Sequence, residues 1–181
     1  MKKITVLALG MLMVSALHAE VRYVTVSGTG NGTSWENASG NIQAMVDSCY
    51  ALGGGEVRVG AGTYIIEKEI AIKSGVDVIG AYPAEGGMER DLENNLTILD
   101  ANNKPYTRIL NASDKAESLL TAMSTWDGFV LQNATSGYGS AAFLSSGVVL
   151  KNCIIRNNNG ASYGAIMIKK NAGITTNTGA A

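Results

Sequence analysis

Residues 128–152, GFVLQNATSGYGSAAFLSSGVVLKN, and residues 153–177, CIIRNNNGASYGAIMIKKNAGITTN, are two versions of one unit. At an offset of 25, Asn133 meets Asn158, Tyr138 meets Tyr163, Gly139 meets Gly164 and Asn152 meets Asn177. Apolar runs also meet apolar runs, Phe129-Val130 over Ile154-Ile155 and Val149 over Ile174. Short β-branched runs broken by Gly and Asn at a period in the twenties cannot each bury an apolar face alone. They bury it by stacking on the next copy. The repeat therefore predicts an all-β right-handed solenoid of parallel strands.

The stretch before this region reads the same way. EVRVG (56–60), TYIIEKEIAI (63–72), VDVIGAY (76–82), LTILDAN (96–102), RILNAS (108–113), SLLTAM (118–123) and GFVLQNA (128–134) are short strands punctuated by Gly, Asn and Asp. Residues 85–95 are polar and charged and predict a surface loop. Beyond Val76 no amphipathic helical pattern recurs, which argues against a doubly wound α/β sheet. Gly is abundant at 22 residues and Pro scarce at 2, a balance suited to many tight corners.

The N-terminal part has a different grammar. Lys2 and Lys3 precede an apolar run over residues 4–17 and then small residues, with Ala16 or Ala19 as the last residue removed. This is the pattern of a secretory signal peptide, 1–19, and its apolar run is too short to span a bilayer. Residues 20–55 then predict a strand (Val21 to Val26), a Gly-rich loop and one helix. Thr33-Ser34-Trp35-Glu36 fits a capping box. Ile42, Met45, Val46 and Cys49 recur at helical spacing, with Ser39 or Asn41 at the start and Gly53-Gly54-Gly55 at the end. Such a helix predicts an N-terminal cap over the first coil, with Trp35 packed beside it. Residues 56–181 are the coils. The last residues, NTGAA, carry no closing element, so the sequence predicts continuation beyond Ala181.

Composition narrows function by exclusion. The only histidine, His18, lies within the leader. A chain cut after Ala19 has neither a Ser-His-Asp triad nor a Cys-His pair nor a histidine-ligated metal. Cys49 and Cys153 are too few for a zinc cage and predict buried free thiols. Without Lys2 and Lys3 there remain 12 bases against 15 acids and no basic stripe, so nucleic acid is not an expected partner. The Gly-rich loop lacks the lysine and hydroxyl of a phosphate cradle.

GTGNGTSWENAS, GGGEVRVGAGTY, IKSGVDVIGAY and LTILDAN together resemble the opening of exported bacterial right-handed parallel β-helix proteins of the pectin-lyase-like architecture. WDGFVLQNA and NCIIRNNNGASYGA resemble later coils, and the resemblance covers roughly residues 22–170. It includes polymorphic outer-membrane and adhesin-like members. It implies a right-handed parallel β-helix with an N-terminal helical cap, exported to the bacterial outside or outer cell surface. No catalytic signature of its lyases or glycosidases is carried over.

The candidate site residues are few. Asn133, Asn158, Asn152 and Asn177 predict an asparagine ladder at corners. Asp77, Asp100 and Asp127 recur at spacings of 23 and 27. On one face they would form an acidic row able to hold calcium or to share acid–base work on a glycoside. The plainer expectation is that each caps a turn. Tyr138 and Tyr163 should stack one strand spacing apart and, if outward, offer a surface for a sugar. Trp126 is expected to pack at a corner. Tyr138, Tyr163, Asp100 and Asp127 are therefore the candidate substrate contacts. No cofactor is expected, with calcium the one weak candidate. The function expected is non-catalytic binding of an extended polysaccharide or cell-surface glycan. The alternatives are the front part of a polysaccharide lyase or glycoside hydrolase with its active site downstream, and a structural stalk.

Overall fold

The computed structural model describes residues 20–112, 122–145, 147–160 and 162–168. Among these residues the chain forms one helix and three sheets, in which every pairing is parallel. The first sheet runs in the order β1 (Glu20–Val24), β2 (Gly55–Gly60), β5 (Val76–Tyr82), β8 (Ser124–Asp127), β11 (Val148–Lys151). The second is β3 (Gly62–Ile65), β6 (Thr97–Asp100), β9 (Phe129–Gln132), β12 (Ile154–Arg156). The third is β4 (Ile70–Ala71), β7 (Leu110–Asn111), β10 (Ala142–Leu144), β13 (Ile166–Ile168). From β2 onward the chain visits the three sheets in turn, so each round of three strands makes one layer.

This architecture corrects the expected all-β right-handed parallel β-helix with an N-terminal helical cap. The observed fold is three parallel sheets of five, four and four short strands together with one helix, α1 (Ile42–Ala51). Paired strands do not recur at one spacing. Gly55 pairs with Val76, Val78 with Trp126, Thr97 with Phe129, and Val130 with Ile154. The last pairing is 24 residues apart, so the 25-residue alignment is slipped by one residue through these strands. A one-residue slip would turn every side chain to the other face. Leu131, fully buried, fixes the register by pairing with Leu99 and Ile155.

The core lies between the sheets. Val57 and Val78 from the first sheet, Leu99 and Leu131 from the second, and Leu110 and Ala142 from the third are all buried, with Trp126 and Phe129 among them. Each large side chain taken from water contributes about 1.5–3 kcal/mol. Trp126 lies in β8 and points inward, its ring 5.5 Å from that of Phe129, rather than at a corner. Ile42, Met45, Val46 and Cys49 place α1 in the same cluster, against β1, β2 and β5. Asn41 is the N-cap, its side chain accepting from the Ala44 N–H at 3.0 Å.

Other expectations shift locally. The capping box at Thr33–Glu36 does not start a helix. Asn31 Oδ1 instead accepts from the Thr33 N–H, the Thr33 hydroxyl and Asn37 Nδ2, which ties the loop to itself. Trp35 packs between Tyr23, at 4.8 Å, and Tyr82, at 5.4 Å. Residues 63–72 split into β3 and β4 because the chain turns a corner at 66–69. Strand β8 was not foreseen. The strand expected at 118–123, the leader at 1–19 and Asn177 fall largely or wholly outside the described residues.

Corners need left-handed backbone. Between the first and second sheets it is carried by Gly128 and Asn152, with φ of 82° and 49°, while Ala81, φ 67°, carries it within the irregular end of β5. Between the second and third it is carried by Asn102, Asn133 and Asn157, with φ of 51°, 59° and 54°. Asn tolerates this region better than other residues with a Cβ. Its recurrence after apolar runs is thus a backbone requirement first.

Candidate functional site

The acidic row does not assemble. Asp77 and Asp127 lie in the first sheet, whereas Asp100 lies in the second. Each carboxylate is held by its neighbours. Asp77 Oδ1 accepts from the Thr125 N–H at 2.7 Å. Asp100 accepts from Gln132 Nε2 at 2.7 Å, from Asn133 Nδ2 at 2.9 and 3.0 Å, and from the Asn102 N–H at 2.7 Å. Asp127 accepts from Asn152 Nδ2 at 2.8 Å and from Arg90 Nη1 at 3.1 Å, with Lys151 Nζ at 3.9 Å. Burial works against ionisation of Asp100. The hydrogen bonds from Gln132, Asn102 and Asn133, with the nearby Arg156 charge, outweigh it and hold its carboxyl below the ordinary range.

The asparagine ladder takes a different form for the same reason. Asn133 reaches Asp100 and Asn152 reaches Asp127, each one layer away. An ionised carboxylate is a stronger acceptor than another amide, so it captures the amide N–H. Asn158 clamps backbone instead, accepting from Ala134 N–H and donating to the Leu131 carbonyl, both at 2.9 Å. Among the described residues no group of three or more His, Cys, Asp or Glu is placed to hold a metal ion. The free thiols Cys49 and Cys153 sit apart, the first fully buried in α1 and the second part-exposed before β12.

The tyrosines do come together. The Tyr138 and Tyr163 rings are stacked, with centroids 4.8 Å apart and planes 16° from parallel. They are 53% and 56% exposed. The corner between the second and third sheets presents them. It spans nine residues in three successive layers, 101–109, 133–141 and 157–165, because both its ends are held in register. Tyr138 and Tyr163 are each followed by a glycine in left-handed backbone, Gly139 (φ 53°) and Gly164 (φ 75°). At Gly139 a Cβ would come within 2.5 Å of the Ala142 carbonyl oxygen and 2.8 Å of Met167 N. The bare glycine lets the end of the Tyr138 corner sit against β10 and β13.

Tyr106 occupies the same corner one layer earlier. It stands six residues after Asp100, as Tyr138 stands six after Gln132, and these two reference residues are ladder partners. It is 89% exposed and itself carries the left-handed backbone, φ 59°. The sequence signal was present but required an offset of 32, which the 25-residue repeat conceals.

The flanking charges are paired. Lys104 Nζ meets Glu67 Oε2 at 2.5 Å, and Arg108 Nη1 meets Glu69 Oε2 at 3.1 Å. Arg108 also donates to the Tyr138 carbonyl oxygen, at 2.7 Å from Nη2, and to that of Gly139, at 3.1 Å from Nε. A separate groove of about 570 Å³ runs between the start of α1 and residues 63–70. Glu67 and Glu69 are two of its lining residues.

Among the described residues no helix is long and apolar enough to cross a membrane. No protein-family model matches the chain, and no curated protein or solved structure matches it.

Proposed function

We propose that this chain is an exported, surface-displayed bacterial protein that binds an extended glycan without cleaving it, through Tyr138 and Tyr163. The stacked, half-exposed tyrosine pair carries this reading. Both tyrosines remain more than half exposed beside the stack. Sugar C–H groups pack on such aromatic surface, and the phenol oxygens supply hydrogen bonds at its rim. The carboxylates that could have argued for turnover are spent on holding layers together. Export rests on the leader pattern at residues 1–19.

The test is a panel of neutral and acidic polysaccharides, with and without chelator, against wild type and the Tyr138→Ala/Tyr163→Ala double variant. Binding that falls by about tenfold or more in the double variant supports the reading, a change of about 1.4 kcal/mol. Turnover that disappears in Asp100→Asn or Asp127→Asn overturns it. Binding that survives the tyrosine changes but is lost with chelator moves the site to the acids.

A further inference from the structure

We infer that Tyr106 is a third ring of the same surface, and that the surface takes a neutral, linear sugar chain lying along the stacking direction. This rests on the glycan-binding reading above and extends it. Three successive corners of equal length each carry a tyrosine, Tyr106 and Tyr138 six residues after the ladder partners Asp100 and Gln132, and Tyr163 seven after their partner Arg156. Neighbouring layers are roughly 4.8 Å apart, so the row from Tyr106 to Tyr163 spans two layer spacings and exceeds a single sugar contact.

Tyr106 has no packing reason to be a tyrosine. Its side chain is 89% exposed, and its backbone holds a φ of 59° that a bulky residue adopts only at a cost. Glycine would remove the strain and lose little buried area. At the other two corners the sequence does use glycine for this backbone, immediately after the tyrosine. Retaining a ring where the fold favours glycine points to contact with something outside the chain.

The charges around Tyr106 select the ligand. Lys104, two residues before it, is held by Glu67, and Arg108, two residues after it, by Glu69. Each cation near the ring is matched by an acid. Neither Lys104 nor Arg108 is therefore left as an unpaired cation that would recruit an acidic chain, and a neutral chain leaves both pairs intact.

The experiment measures binding of the disaccharides and hexasaccharides of cellulose, mannan and laminarin, together with polygalacturonate. Wild type, Tyr106→Gly, Tyr106→Phe and the Tyr138→Ala/Tyr163→Ala variant are compared. Tyr106→Gly should weaken hexasaccharide binding about fivefold or more while hardly changing disaccharide binding, and should leave the melting temperature unchanged or raised. Tyr106→Phe should keep most of the affinity. Hexasaccharide binding that needs Tyr138 and Tyr163 but ignores Tyr106→Gly overturns this inference and leaves the glycan reading standing. So does tyrosine-dependent binding confined to polygalacturonate. A lowered melting temperature for Tyr106→Gly also overturns it, since the ring would then be structural. No binding to any of these sugars overturns both.

Discussion

Asn133 Nδ2 lies 2.9 and 3.0 Å from the two carboxylate oxygens of Asp100, one layer away. The same relationship recurs between Asn152 and Asp127 at the other corner. Asparagine here meets two needs at once. It holds left-handed backbone at the turn, and its amide is drawn to a carboxylate in the preceding layer.

The Asp100 contacts have a pH consequence. Its carboxyl is held below the ordinary range in the folded chain, so it contributes stability above the usual carboxylate pKa of about 3.9. That contribution is lost as pH falls through the lowered folded value. Asp100→Asn should cost about 1–2 kcal/mol at neutral pH. The gap between wild type and variant should narrow as the solution is acidified below about pH 4. Denaturant midpoints across pH measure this, and a gap constant down to the acid limit would mean that the contacts do not stabilise the ionised form.

Arg90 anchors the 85–95 loop onto the first sheet. Its Nε donates to the Gly80 carbonyl at 2.8 Å and its Nη1 to Asp127 at 3.1 Å. Arg90→Ala leaves Asp127, whose side chain is only 7% exposed, with Asn152 and a distant Lys151. We expect a loss of about 2–3 kcal/mol, less than for a fully buried pair because Arg90 is part-exposed. Hydrogen exchange should quicken at the Asp91 amide, which bonds the Ala81 carbonyl. Unchanged exchange there would mean that the loop is held by other contacts.

Helix α1 packs its apolar face into the core against β1, β2 and β5. Val46→Asp puts an unpaired carboxylate at a position with no solvent exposure, and should cost at least about 3 kcal/mol. Cys49, on the same face, reports the event. Burial pushes its thiol up to about 11, so it should resist thiol reagents in the wild-type protein and react readily in the variant. Rapid wild-type labelling of Cys49, read by peptide mass spectrometry, would show the helix to be detached.

Several elements are legible in the chain itself. Ile42, Met45, Val46 and Cys49 announce α1, and VDVIGAY announces β5 with the residue bounds observed. The tyrosine pair was readable from the repeat. Tyr106 was not, because the 112–123 connection from β7 to β8 is longer than the one from β10 to β11. The acidic row looked plausible by spacing alone. Spacing does not say which sheet a residue enters, and Asp100 enters a different one from Asp77 and Asp127.

The sequence by itself determined the short apolar strands, the corner residues and the one amphipathic helix. These follow from local periodicity and from backbone conformations that only Gly and Asn adopt cheaply. Tertiary structure alone decided the one-residue register, the division of strands among three sheets and the partner of each charge. Those depend on contacts between segments 21 to 48 residues apart, such as Gly55 with Val76 and Val78 with Trp126. Register there is set by which side chains fill the shared core, an outcome that no single segment encodes.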